Sequence, residues 1–110
     1  MATNFKNVLH ENLGTTPTIP LTTTAGVKTT IVGLSLTNKT TTVVLISLLL
    51  EDTVESTQAY YAKDIVVPPN QSLRLVTGGE RLVVGPNTNI VLSSSVDDSI
   101  DVVISLVEIS

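Results

Sequence analysis

The chain of 110 residues has no cysteine and no tryptophan, one histidine, one phenylalanine and two tyrosines. Without thiols there is neither a disulfide framework nor a thiolate metal site. His10, beside Glu11, is the single imidazole. Zinc needs several nitrogen or sulfur donors and a general base needs a positioned partner, so His10 is read as an ordinary strand residue. Three aromatic rings are too few for a platform that stacks bases or sugars. Charge is scarce as well, at 15% of residues with a net charge of −4. The six cations, Lys6, Lys28, Lys39, Lys63, Arg74 and Arg81, are dispersed and form no phosphate-tracking stripe, which argues against a nucleic-acid partner. No apolar run approaches the length of a membrane-crossing helix, and the start of the chain shows no apolar segment behind Lys6, so no secretory leader and no membrane contact are expected.

Helical periodicity is also missing. Turn-forming groups recur about every ten residues instead: Thr24-Ala25-Gly26, Asn38-Lys39-Thr40, Pro68-Pro69-Asn70, Gly78-Gly79, Gly85-Pro86-Asn87 and Asp97-Asp98-Ser99. Segments rich in Val, Ile, Leu and Thr lie between them. This spacing predicts an all-β protein, a single-domain antiparallel β-sandwich over residues 1–110 with about eight strands, jelly-roll-like or immunoglobulin-like in topology. Residues 27–38 alternate, with Val32, Leu34 and Leu36 expected inward. The turn at Asn38-Lys39-Thr40 is expected to close a hairpin onto 42–51, and Gly78-Gly79 a second one between 73–76 and 81–84. The prolines around 18–22 suit an edge strand. One of Tyr60 and Tyr61 is expected in the core and the other outside.

The run 42–50 stands out because Val43, Val44, Leu45, Ile46, Leu48, Leu49 and Leu50 are interrupted only by Ser47. A strand that is apolar on both parities needs cover on both faces, and in a chain this short the second cover is expected from another subunit. The last strand, with Val103, Val107 and Ile109 opposing Ile100, Val102, Ile104 and Leu106, has the same character. Val44, Ile46, Leu48, Leu50, Tyr60, Val103, Val107 and Ile109 are therefore the candidate interface residues of a homo-oligomer, trimer or higher. No catalytic residue, metal site or cofactor is assigned. Asp97, Asp98 and Asp101 read as turn chemistry, Glu51, Asp52 and Glu55 as charges that keep an apolar strand end soluble, and the sequons at Asn38 and Asn70 as turn composition.

The segments Met1-Ala2-Thr3-Asn4-Phe5-Lys6-Asn7-Val8 and Ala25-Gly26-Val27-Lys28-Thr29-Thr30-Ile31-Val32-Gly33-Leu34-Ser35-Leu36-Thr37-Asn38 resemble small all-β virion structural proteins of tailed bacteriophages, of the kind found in cyanophages and marine phages. Val67-Pro68-Pro69-Asn70-Gln71-Ser72-Leu73 and Val102-Val103-Ile104-Ser105-Leu106-Val107-Glu108-Ile109 are similar too. The resemblance implies a non-enzymatic virion component, made in the host cytoplasm, that binds itself and capsid or tail proteins. Head decoration is the expectation, with a neck, tail or baseplate piece as the alternative and a host-surface or carbohydrate-binding module as the second alternative.

Overall fold

The computed structural model describes residues 2–77 and 79–110 and contains nine strands: β1 (Thr3–Leu13), β2 (Thr18–Thr22), β3 (Lys28–Asn38), β4 (Val44–Asp52), β5 (Thr57–Val67), β6 (Ser72–Val76), β7 (Leu82–Val84), β8 (Thr88–Ser94) and β9 (Ile100–Ile109). They form two antiparallel sheets. One has the order β1-β9-β3-β6, with β7 also pairing β3, and the other the order β2-β8-β4-β5.

A single geometric rule generates both sheets. Thr3 faces Ile109, Leu13 faces Ile100, Thr18 faces Leu92, Thr29 faces Val84, Thr37 faces Ser72, Val44 faces Val67 and Asp52 faces Thr57. Partners therefore stay equidistant from one point near Glu55. The chain is one long two-stranded ribbon, folded at its middle and wrapped on itself so that β9 also meets β3 and β8 also meets β4. Nested pairing of this kind, first strand with last, is the jelly-roll arrangement. The tip of the ribbon is a tight reversal at 53–56, where the Asp52 carboxylate accepts the amides of Val54 and Glu55 at 2.9 and 3.1 Å.

Wrapping requires the ribbon to turn three corners, and a buried polar residue holds each one. Buried polar groups are costly when left unbonded, and those at the corners are bonded. At the first corner, Ser94 and Ser99 both donate to the Val96 carbonyl, at 2.7 and 2.6 Å, while their amides donate to Gly14 and Leu13. Gly14 fits closely there: a Cβ would lie 2.6 Å from the Asp97 carboxylate and 3.2 Å from the Asp97 Cα, so Asp97 would have to shift. At the second, Thr23 donates its amide to the Thr88 carbonyl and its hydroxyl to Gly85, and accepts the Thr88 amide. At the third, fully buried Asn38 donates to the carbonyls of Thr42, Val67 and Pro68 and accepts from the Thr40 amide and hydroxyl.

Between the sheets lies a core of aliphatic side chains: Ile31, Leu34 and Leu36 of β3, Val44, Ile46 and Leu48 of β4, Ile90 and Leu92 of β8, and Ile100, Val102, Ile104 and Leu106 of β9. No aromatic ring is in it.

Several expectations are corrected. Asn38-Lys39-Thr40 closes no hairpin, since β3 and β4 belong to different sheets and the segment is a corner. β6 and β7 are not a hairpin either; each pairs with β3, one beyond the other along its length. Gly78 itself lies outside the described residues. Leu34 and Leu36 are buried as expected, but Val32 is not inward, because the register shifts between Ile31 and Gly33 and Ile31 turns inward in its place. Both tyrosines are exposed: the register of β5 against β4 shifts twice, between Ile65 and Ala62, where Asp64 is left-handed at φ 51°, and again between Ala62 and Tyr60, so the simple alternation on which the one-in, one-out reading rested is lost.

Candidate functional site

With the core so placed, the outer faces of the two sheets and their edges are what the protein offers to a partner. Of the expected interface residues, Val44, Ile46 and Leu48 are fully buried inside the protomer and face the opposite sheet. They are corrected to core residues. The outward positions of β4 are Leu45, Ser47 and Leu49, each half-buried. Both parities of this strand are apolar, so the pattern carries little directional information; its single polar residue, Ser47, marks the outer face and was the available signal. Leu50 is half-buried and packs against the core.

Tyr60, Val103, Val107 and Ile109 do lie outside the core, but not together. Tyr60 belongs to the β4-containing sheet, where it sits opposite Leu49, with Val91 on the other side of Leu49. Val66, paired with Leu45, extends this apolar row. Tyr60 is 55% and Val66 53% exposed. The Lys63 ammonium lies 5.0 Å from the centre of the Tyr60 ring, a cation–π contact.

Val103, Val107 and Ile109 lie on the outer face of the other sheet. There Val107 is flanked by Phe5 on β1 and Thr30 on β3, with Val83 of β7 beyond, and Val103 by Leu9 on β1 and Ser35 on β3. Phe5 is 82%, Val83 74% and Leu9 73% exposed. Phe5, Leu9 and Val83 were missed at the sequence level. Phe5, Asn7 and Leu9 share one parity, but apolar residues are too few in this segment to mark a strong strand. The structure makes it one of the three longest.

The polar groups singled out in the sequence serve the corners and the tip. Asp97 accepts from the Thr15 amide and hydroxyl, both at 2.9 Å. These bonds to its charged form, the amide first, hold its carboxyl below the ordinary value of 3.8. For Asp101 partial burial acts upward, but the Lys39 ammonium at 3.0 Å and the Asn12 amide outweigh it, and the carboxyl is again held low. Asp98 occupies the left-handed region, at φ 53°, and completes the turn. Glu51 accepts from the Asn89 side chain at 2.9 Å. His10 is half-buried beside Glu11 and Asp101. Among the described residues, no three of His, Asp and Glu gather as metal ligands. The surface depressions are open, such as the groove between β3, β6 and β9 that Ser35, Arg74, Val103 and Ser105 line.

The lowered Asp97 pKa has a direction in pH. The folded state releases this proton more readily than the unfolded one, so the stabilisation is full above the unfolded value near 3.8 and is lost as pH falls through the lower, folded one. Asp97→Asn should therefore narrow the gap in melting temperature between pH 3 and pH 7; an unchanged gap would show that the Thr15 bonds do not matter to the first corner.

Compared with known proteins, the chain matches no family model, no curated protein and no solved structure.

Proposed function

We propose that this protein is a structural, non-enzymatic virion component of a tailed bacteriophage, which oligomerises through its outer surfaces and stabilises the particle, with the head surface as its site. The observation that carries the reading is the pair of apolar rows on opposite outer faces, Phe5–Val107 with Leu9–Val103 on one sheet and Tyr60–Leu49–Val91 on the other. Exposed apolar surface of this extent on a small domain marks places where other protein surfaces sit. Two such faces on opposite sides suit a subunit with neighbours on both sides, as in a symmetric multimer or lattice. The resemblance of the strand sequences to phage structural proteins supplies the context. Burial contributes about 25 cal/mol per Å² of apolar surface, so a modest contact repeated over a lattice adds up to substantial stability.

Two measurements test this. Sedimentation velocity across about 1–100 µM, a range that spans ordinary oligomer affinities, should give a mass that is a multiple of 11.6 kDa. Immunogold labelling of source phage particles with serum against the purified protein should place label over heads. Label at the neck or tail would move the protein there, and bare particles would overturn the virion reading.

A further inference from the structure

The two sheets have four edges, and three of them are blunted. β2 is five residues long and contains Pro20, β5 is broken by the left-handed Asp64, and the β6 and β7 edge is split into pieces of five and three residues. β1 is different. It lies at the end of its sheet, and residues 3–10 keep register with β9 without a break. Ala2 and Ser110 exchange both backbone hydrogen bonds, at 2.9 Å each. Bonded and non-bonded pairs alternate along an antiparallel ladder, so the even-numbered residues of β1 bond β9. Thr3, Phe5, Asn7 and Leu9 then turn their N–H and C=O groups to the open edge. An unprotected edge of this length is a template for another strand.

The side chains of β1 are disposed symmetrically about Asn7, with Phe5 two residues before it and Leu9 two after. We propose that β1 pairs antiparallel with β1 of a second copy about a two-fold axis at Asn7, joining two four-stranded paths into one continuous sheet. In this register Phe5 faces Leu9 of the second copy, and Leu9 faces its Phe5. The two outer faces fuse into unbroken rows that run Val103, Leu9, then Phe5 and Val107 of the second copy. Opposed apolar side chains in adjacent strands stabilise the pairing.

Charge selects this register over its neighbours. A pivot at Lys6 would set the two Lys6 ammonium groups directly opposite each other. A pivot at Val8 would put Lys6 against His10 and Phe5 against Glu11. With the pivot at Asn7, Lys6 faces Val8 and keeps its own partner, Glu108, at 2.8 Å. The first slip sets like charges directly opposite each other, and the second sets Phe5 against a carboxylate in place of Leu9, so both are disfavoured.

The inference rests on the self-assembly reading and names one of its contacts. Because the chain has no cysteine, single replacements report cleanly. Asn7→Cys places two thiols on directly paired residues about 5.5 Å apart at Cα, so a thiol cross-linker of about that reach should convert most of the protein to covalent dimer. Phe5→Cys places its thiols four residues out of register, roughly 14 Å apart, and should not link. Asn7→Pro removes an amide that does not bond β9 and is tolerated on an edge, yet blocks the new ladder; the dimer dissociation constant should rise about tenfold or more. If the native mass stays oligomeric while Asn7→Cys fails to link and Asn7→Pro changes nothing, the β1 contact is wrong and self-assembly stands. A monomer at about 100 µM, weaker than any ordinary specific complex, overturns both.

Discussion

Ile46→Asp should leave no folded protein, whereas Leu49→Asp, three residues along the same strand, should fold. Ile46 is completely buried between the sheets, opposite Ile65 on one side and Ser94 on the other. A carboxylate there has no cation within the aliphatic core, and the desolvation penalty of an unpaired charge is several kcal/mol. Loss of the isoleucine packing adds about 2–5 kcal/mol. Together these take up most of the stability of a domain of this size, roughly 5–15 kcal/mol. Leu49 faces outward and is only half-buried; its loss removes about 1 kcal/mol of burial, or about 4 °C of melting temperature. Circular dichroism melts of the two variants decide the matter. A cooperative transition for Ile46→Asp near that of the parent would mean that the inward face of β4 has been misassigned, and Leu45 and Leu49 would exchange roles with Val44, Ile46 and Leu48.

Asn38→Leu should lower the melting temperature by about 13 °C. The two side chains are similar in size, so the loss is one of bonding. The Asn38 amide nitrogen reaches the Thr42, Val67 and Pro68 carbonyls at 2.8, 3.1 and 3.3 Å, and its oxygen accepts the Thr40 amide at 2.9 Å and hydroxyl at 2.7 Å. Leucine satisfies none of them. An unsatisfied buried group costs about 1–3 kcal/mol, and partial relaxation toward water at the corner leaves a net loss on the order of 3 kcal/mol. The unfolding entropy for a chain of this length, about 0.23 kcal/mol/K, converts that to the stated shift. Asn38→Asp should be worse, since a carboxylate would then face the three carbonyl oxygens. Scanning calorimetry reads the result, and a shift of less than about 3 °C for Asn38→Leu would show that the third corner is held by something else.

The all-β class was legible because strand-forming segments and turn residues agree over most of the chain, and β8 alternates cleanly between buried and half-buried positions in the fold. The path of the chain was harder to read. Asn38-Lys39-Thr40 has the composition of a hairpin turn, and only the burial of Asn38, with partners 29 and 30 residues away, makes it a corner. Parity failed where the backbone departs from regular pairing, at Val32 of β3 and between Ile65 and Tyr60 of β5, because each irregularity exchanges the two faces until the next one. The candidate interface suffered from the same lack of direction. In β4 both faces are apolar and only Ser47 distinguishes them, while β1, which carries the most exposed ring in the chain, offered too few apolar residues to attract notice.

The ribbon centred near Glu55 also imposes an order in time. Four residues separate Asp52 from Thr57, and 105 separate Thr3 from Ile109. Closing the outermost pair on an otherwise open chain costs about 3 kcal/mol more loop entropy than closing the innermost one. Once the inner pairs exist, each next closure spans only a corner, so the cheapest route to the native state zips outward from the middle of the chain. Ile46 and its partner Ile65 meet early on that route. β1, the strand with the open edge, is laid down last.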